Sequence, residues 1–492
     1  MSSQTHTLPT DQAFGWRQST TPISTRWVWL SFAVLVLVFG RIYVNFIQDD
    51  AYITYRYARN LTSGMGMVYN PGEWVLGTTT PFYTFLLAGF KVLTGLSIET
   101  ISKFINILCL WASAGLLFEI SKPNHRLLGI AMGLLFITNP ILPHSMGMES
   151  LFLVFLFLVT IRCYTKDRFL LASIAAGCLM ITRYEMVLVA IVLAGHYVIV
   201  QRRMPLWLLP AFFIFSIWLL FAFAVYGSPI PQSMYAKLST SHVPFLLGAA
   251  FYWATFGRSF QPIYSFLFFL ILGVISLFYM KKPSLNHRLI LAICALYLLF
   301  SSLLAGSFPW YYVPLVPGGV ILVAYGIDFI STAPGLAQTL DRFSPRFKHI
   351  PKLLFLSISA FLIACQLVLW AKDFKDYTGH NLDHRYVPYR EVANWLNHYA
   401  QDGQTLAASE IGYLGYFTNL YIIDLYGLVT PSLNYWLEDG LVETLRQTLR
   451  IYGPDYVLIK SDQSQIELMN ADSRYKLIST FYDNYLLYIK QP

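Results

Sequence analysis

Long apolar stretches separated by short polar loops dominate the chain. The runs lie at 27–47, 80–118, 126–143, 149–165, 169–182, 186–200, 206–226, 260–280, 287–305, 309–330 and 352–370. A helix needs roughly 20 apolar residues to cross a bilayer, and somewhat fewer where it lies only partly in lipid. The pattern therefore predicts a polytopic α-helical membrane protein with about eleven or more transmembrane helices. Lys91, Glu99 and Lys103 interrupt the stretch at 80–118, which reads as one full span plus a shorter or re-entrant piece. After Trp370 the periodicity changes. Tyr389–Tyr399 is amphipathic with a helical period, 441–452 reads as a second helix, and the segments at 404–409, 421–424, 455–460, 475–481 and 485–490 read as strands. The predicted organisation is a disordered cytoplasmic N-terminus (1–26), a multi-helix membrane module (27–371) with an external loop at 48–80, and a small extracytoplasmic α/β domain (372–492).

Composition supports this division. The 492 residues are 56% hydrophobic and only 12% charged, against about 25% charged in an ordinary soluble protein. The net charge of +8 resides mostly in short loops, so it sets orientation and does not indicate a nucleic-acid partner. Basic clusters at 122–126, 162–168, 202–203, 281–288 and 342–352 place those loops, and the N-terminus, in the cytoplasm by the positive-inside rule. The alternate loops, at 49–81, 147–150, 183–185, 226–237 and 307–312, then face outward with the C-terminal domain. These are the loops that carry the unusual polar and aromatic residues. The five cysteines (Cys109, Cys163, Cys178, Cys294 and Cys365) lie in or beside apolar runs without CxxC spacing, which suits small hydrophobes.

Asp49 and Asp50 stand together where the first apolar run ends. Adjacent acids at a helix start often serve only to cap or solvate it. Here, however, Asp49, Tyr52, Arg56 and Arg59 fall close to one face of a 3.6-residue period. That stripe would suit a site handling a hydroxyl and a phosphate. Residues 49–81, DDAYITYRYARNLTSGMGMVYNPGEWVLGTTTP, extend the signal. This stretch resembles the first external loop of the GT-C superfamily of membrane glycosyltransferases, most nearly the branch of mycobacterial terminal arabinofuranosyltransferases. Gly147–Ser150, Thr182–Glu185, Tyr226–Gln232 with Tyr235–Lys237, and Glu410 through Leu428 are similar to the same branch. Phe308–Pro314 departs from its pattern, so the transferred sugar is not assigned.

The resemblance implies an inverting transferase that moves one sugar from a polyprenyl-phosphate donor to a glycan, lipid or protein acceptor at the outer face of the membrane. It implies a carboxylate base in the first external loop, hence Asp49 or Asp50, with the choice left open. Partial desolvation raises a carboxyl pKa toward neutrality, which suits a general base. Arg56, Arg183 and Lys237 are the candidates for the donor phosphate, since arginine offers bidentate geometry and lysine a point charge. Each has a plainer reading: headgroup contact for Arg56, a structural pair with Glu185 for Arg183, loop solvation for Lys237. Tyr52, Glu149, Glu185, Trp310 and Tyr311 are candidate substrate contacts. Against this, Glu149 also suits the charge of a helix N-terminus, and the aromatics suit a membrane interface. No His/Cys/Asp cluster has zinc spacing, no cofactor is assigned, and a divalent ion on Asp49 or Asp50 remains an open option. Two other classes fit the same composition, a transporter or flippase of lipid-linked glycans and a non-catalytic envelope scaffold.

Overall fold

The computed structural model describes residues 24–43, 47–121, 126–235, 262–279, 283–302, 308–332, 349–377 and 385–492. Among the described residues, six helices are long and apolar enough to cross a membrane and six further apolar helices are shorter. The chain is thus a polytopic helical membrane protein, as its apolar runs predict, with a small sheet domain at its C-terminal end.

In chain order the helices of the membrane module are α1 (Thr25–Tyr43), α2 (Asp49–Thr62), α3 (Pro81–Thr94), α4 (Ile98–Glu119), α5 (Arg126–Ile137), α6 (Ser150–Tyr164) and α7 (Phe169–Thr182). They continue as α8 (Val187–Gln201), α9 (Leu209–Tyr226), α10 (Pro262–Tyr279), α11 (Leu285–Ser302), α12 (Val316–Ser331) and α13 (Ile350–Tyr377). Lipid tails are as apolar as leucine, so close approach through small residues holds such helices together. The tightest case is α10 against α12. A Cβ on Gly273 would lie 2.0 Å from the Leu322 carbonyl oxygen, and one on Gly326 would lie 2.1 Å from that of Phe269.

The ambiguous stretch at 80–118 resolves into two helices. Gly95, with φ of +71°, closes α3 by donating its N–H to the Lys91 carbonyl at 2.8 Å. Ser97 then caps α4 by accepting the Thr100 N–H at 3.2 Å. With 14 residues, α3 is about 21 Å long and falls short of a ~30 Å hydrocarbon core. Its two ends lie on the same side of the bundle. Thr80, just before it, meets Thr54 of α2 at 3.2 Å, and Ser102 in the early turns of α4 bonds Tyr55 of α2. Only α4, with 22 residues, is long and apolar enough to cross here. Val92 and Leu93 at the end of α3 are 73% and 81% exposed, an apolar surface that suits lipid contact.

The C-terminal region folds as a five-stranded mixed sheet in the order β2-β1-β3-β5-β4. The strands are β1 (Thr405–Ala408), β2 (Tyr421–Asp424), β3 (Tyr456–Lys460), β4 (Tyr475–Phe481) and β5 (Tyr485–Lys490). β1 runs parallel to β2 and β3, while β5 is antiparallel to β3 and β4. The period-2 alternation of a strand sorts its side chains between two cores. Ala407, Ile423, Val457, Ile459 and Tyr488 pack under helices α16 (Leu441–Ile451) and α17 (Gln463–Ala471). Leu406, Ala408, Ile422, Tyr456 and Leu458 face α14 (Tyr386–Tyr399) and α15 (Gly412–Phe417), and that second core is continuous with the core of the membrane module. The domain is therefore packed onto the bundle, and α2 is the element between them.

Candidate active site

Helix α2 begins with two acids in its first turn and ends with Arg59 in its last, the charge order that a helix dipole favours. Neighbouring residues of a helix point about 100° apart, so the two acids face different surroundings. The predicted stripe of Asp49, Tyr52, Arg56 and Arg59 exists, but it faces the C-terminal domain and not an open site. Asp49 is 2% exposed. Its carboxylate accepts the Gly412 N–H at 2.9 Å and the Tyr413 N–H at 2.7 Å, capping the N-terminus of α15. A Cβ on Gly412 would lie 1.9 Å from the Asp49 carbonyl oxygen, so the glycine permits the approach. Burial, opposed by Arg385 and reinforced by Glu410, lifts the Asp49 pKa to about 7. Arg385 itself pairs with Glu410, which Lys460 contacts from its other side at 2.6 Å.

Tyr52 packs its ring against Tyr413, Tyr416 and Phe417 with centroids 4.7–5.3 Å apart. Arg56, 1% exposed, donates to the carbonyls of Tyr69 at 2.7 Å, Gly415 at 2.8 Å and Leu420 at 2.8 Å, and to Asn70 Oδ1 at 3.3 Å. Its guanidinium also lies 4.3 Å from the centroid of the Tyr69 ring. Burial pulls its pKa down to about 10, which still leaves it charged at neutral pH. Both Tyr52 and Arg56, expected at the substrate, instead hold α2 to the sheet domain. Asn70 completes this seam. Its amide donates to the Ile422 carbonyl at 2.9 Å and accepts the Ile422 N–H at 3.1 Å, so it covers the open edge of β2 as a further strand would.

The other face of α2 carries Asp50, Ile53 and Thr54, which line a cleft where the bundle meets the sheet domain. Five other segments reach it. They are Gly77–Thr80 ahead of α3, Met148 and Glu149 ahead of α6, Arg183 after α7, Ser233 in the 226–235 segment, and Trp310 with Tyr311 ahead of α12; Leu428 of the sheet domain completes the wall. Of the residues singled out from sequence, Asp50, Glu149, Arg183, Trp310 and Tyr311 meet here. Asp49, Tyr52 and Arg56 do not line it, and Lys237 lies outside the described residues.

Arg183 is the organising cation of the cleft. It donates to Glu149 Oε1 at 2.9 Å and stacks over Tyr311 at 5.0 Å from the ring centroid. Its Nε is 2.7 Å from Glu185 Oε1, a close ionic contact but not an aligned hydrogen bond, since Nε makes none. Glu185 does not itself line the cleft; it holds Arg183 from behind. A cation flanked by two carboxylates and a ring is fixed in place. Glu149 comes to it from the Gly147 turn, which the Tyr55 hydroxyl pins by donating to the Gly147 carbonyl at 3.0 Å. Trp310 is stacked on Phe308 at 4.8 Å, and the Tyr297 hydroxyl holds the Tyr311 carbonyl at 3.0 Å.

The hydroxyl wall was not foreseen. Thr80 Oγ1 lies 3.2 Å from Thr54 Oγ1 and 3.3 Å from Thr78 Oγ1. The Gly-Thr-Thr-Thr-Pro run was itself the available signal. Leu428, the last residue of the 410–428 match, reaches the cleft because residue 77 is glycine. A Cβ there would meet Val429 Cγ1 at 2.7 Å and the Leu428 carbonyl at 2.8 Å. Asp424 winds that loop by accepting the N–H groups of Tyr426 at 2.9 Å, Leu428 at 2.6 Å and Val429 at 3.2 Å. Among the described residues, no group of three or more His, Cys, Asp or Glu is placed to hold a metal ion.

This combination of helical bundle and appended sheet domain is a GT-C-type fold. The crystal structure of ArnT from Cupriavidus metallidurans bound to undecaprenyl phosphate superposes with a TM-score of 0.63 at 12% identity, covering 94% of this chain and 98% of that one. A cryo-electron microscopy structure of the arabinofuranosyltransferase AftD from mycobacteria matches with a TM-score of 0.50 at 13% identity, over 96% of this chain and 42% of that one. In sequence, the chain is 26% identical over 238 residues to a terminal beta-(1->2)-arabinofuranosyltransferase of Mycobacterium tuberculosis (strain ATCC 25618 / H37Rv). That alignment covers 43% of this chain and only 38% of the relative's length. Residues 378–489 match a family model described as a domain of unknown function (DUF8728).

Proposed function

We propose that the chain is an inverting glycosyltransferase that takes a sugar from a polyprenyl-phosphate donor and passes it to a hydroxyl of a glycan, lipid or protein acceptor. The observation that carries this reading is the meeting of Asp50, Glu149, Arg183, Trp310 and Tyr311, drawn from four separate segments, in one cleft at the edge of the bundle. The GT-C fold and the printed activities of the relatives support it. The cleft and the sheet domain then face the outer side, and the basic loops face the cytoplasm.

In this reading Asp50 is the general base. It withdraws the proton of the acceptor hydroxyl as that oxygen attacks the anomeric carbon from the side opposite the phosphate. The bond between the anomeric carbon and the phosphate oxygen breaks, the configuration inverts, and polyprenyl phosphate leaves with the electron pair. Arg183 offsets the charge that develops on the departing phosphate, and Lys237, which lies outside the described residues, is the candidate second cation. Trp310 and Tyr311 give the sugar an aromatic wall. The sheet domain closes the acceptor side through Leu428.

The test is transfer by the purified chain in lipid nanodiscs, with radiolabelled polyprenyl-phosphate sugars and an envelope extract as acceptor. Labelled product made by the native chain and lost in Asp50→Asn supports the reading. Labelled lipid that crosses a bilayer without any transfer product would favour a carrier.

A further inference from the structure

Ser233 is 3% exposed, lines the cleft, and its Oγ has no hydrogen-bond partner among the described residues. A buried hydroxyl without a partner carries a cost, so its orientation needs a cause. Loose placement is not that cause, because three ties fix the segment. The Tyr226 hydroxyl donates to the Met67 carbonyl at 2.8 Å, the Tyr184 hydroxyl to the Pro229 carbonyl at 3.0 Å, and the Gln232 N–H to the Leu76 carbonyl at 2.8 Å. The last of these seats Ser233 beside the segment that carries Thr78 and Thr80.

We infer that Ser233 is a sugar-binding residue, whose hydroxyl, with those of Thr54, Thr78 and Thr80, recognises hydroxyl groups of the transferred sugar. This rests on the proposed donor class. Charge divides the cleft: Arg183 is its cation and takes the phosphate of the proposed donor, whereas Ser233, Thr54, Thr78 and Thr80 are neutral. A row of neutral hydroxyls suits a polyol, while a phosphate binds best to a cation. Serine and threonine can each donate and accept, which suits the alternating donors and acceptors of a sugar ring.

The experiment compares the native chain with Ser233→Ala in nanodiscs, measuring binding of a panel of undecaprenyl-phosphate pentoses and hexoses, and of undecaprenyl phosphate without a sugar. Removing one neutral hydrogen bond should weaken the best sugar-bearing ligand about two- to tenfold and leave the bare carrier unchanged, which also shows that the variant is folded. Equal weakening of both ligands would move the contact to the phosphate and overturn the assignment to sugar. Native-like binding of both would remove Ser233 from recognition altogether while leaving the donor class intact. If the native chain binds no sugar-bearing ligand and transfers none, the donor class itself falls and the assignment of Ser233 falls with it.

Discussion

Separate replacement of Asp49 and Asp50 distinguishes a docking role from a chemical one. Asp49 satisfies two buried N–H groups, from Gly412 and Tyr413. Each buried donor left without an acceptor costs about 1–3 kcal/mol, so Asp49→Ala, which strands two, should destabilise by about 2–6 kcal/mol. Asp49→Asn keeps one acceptor and should cost about 1–2 kcal/mol, in the range of a lost helix cap. Asp50 lines the cleft and holds neither of these donors. Asp50→Asn should therefore stay within about 0.5 kcal/mol of native stability while transfer falls by about 10²- to 10⁴-fold, as for loss of a general base. Thermal unfolding in detergent, followed by limited proteolysis of the sheet domain, gives the first quantity. Sugar transfer by the same preparations gives the second. The division fails if Asp50→Asn transfers at the native rate, or if Asp49→Asn abolishes transfer with an unchanged melting temperature.

Other substitutions probe the seam and the cleft. Arg56→Lys cannot reach the carbonyls of Tyr69, Gly415 and Leu420 together, and faster proteolytic release of the sheet domain should report the loss. Gly77→Ala should cost about 1–3 kcal/mol of overpacking and reduce transfer, since the new Cβ displaces the Leu428 loop; an unchanged rate would separate that loop from the reaction. Stability should also depend on pH. Burial raises Asp49 and Asp424 to about 7 in the folded chain, above the ordinary aspartate value of about 3.9. Protons taken up on folding thus stabilise the fold fully below the unfolded value, and this contribution is lost as pH rises through about 7. The unfolding midpoint should fall as pH rises from about 5.5 to about 8, and Asp424→Asn should flatten the slope.

The membrane helices were legible because lipid imposes one demand, a long apolar run, that local sequence must meet. The apolar stretches at 206–226 and 309–330 correspond closely to helical segments of the bundle. The break inside 80–118 was legible only as an interruption, since the settling fact is that Thr80 and Ser102 both touch α2. The choice between the two acids was not legible at all. Asp49 and Asp50 are neighbours of identical chemistry, and what separates them is a pair of N–H groups more than 360 residues away. Arg56 misled for the same reason. Helical periodicity placed it correctly on the stripe with Asp49, but the carbonyls of Gly415 and Leu420 that occupy it arrive from the far end of the chain. Ser233 is not legible in the sequence, because an isolated serine carries no signal until its surroundings are known.

The seam between α2 and the sheet domain also limits how this architecture can be recombined. Asp49, Arg56, Tyr69 and Asn70 address backbone atoms between Ile411 and Ile422. The contacts depend on the path of that backbone and on glycine at 412 and 415, where a Cβ would collide with Asp49 and Tyr69. A chimera that takes its C-terminal domain from a relative must therefore take the first loop from the same parent. Grafted as a matched pair, the two can move between bundles and carry Asp50 with them; exchanged singly, each arrives without its counterpart.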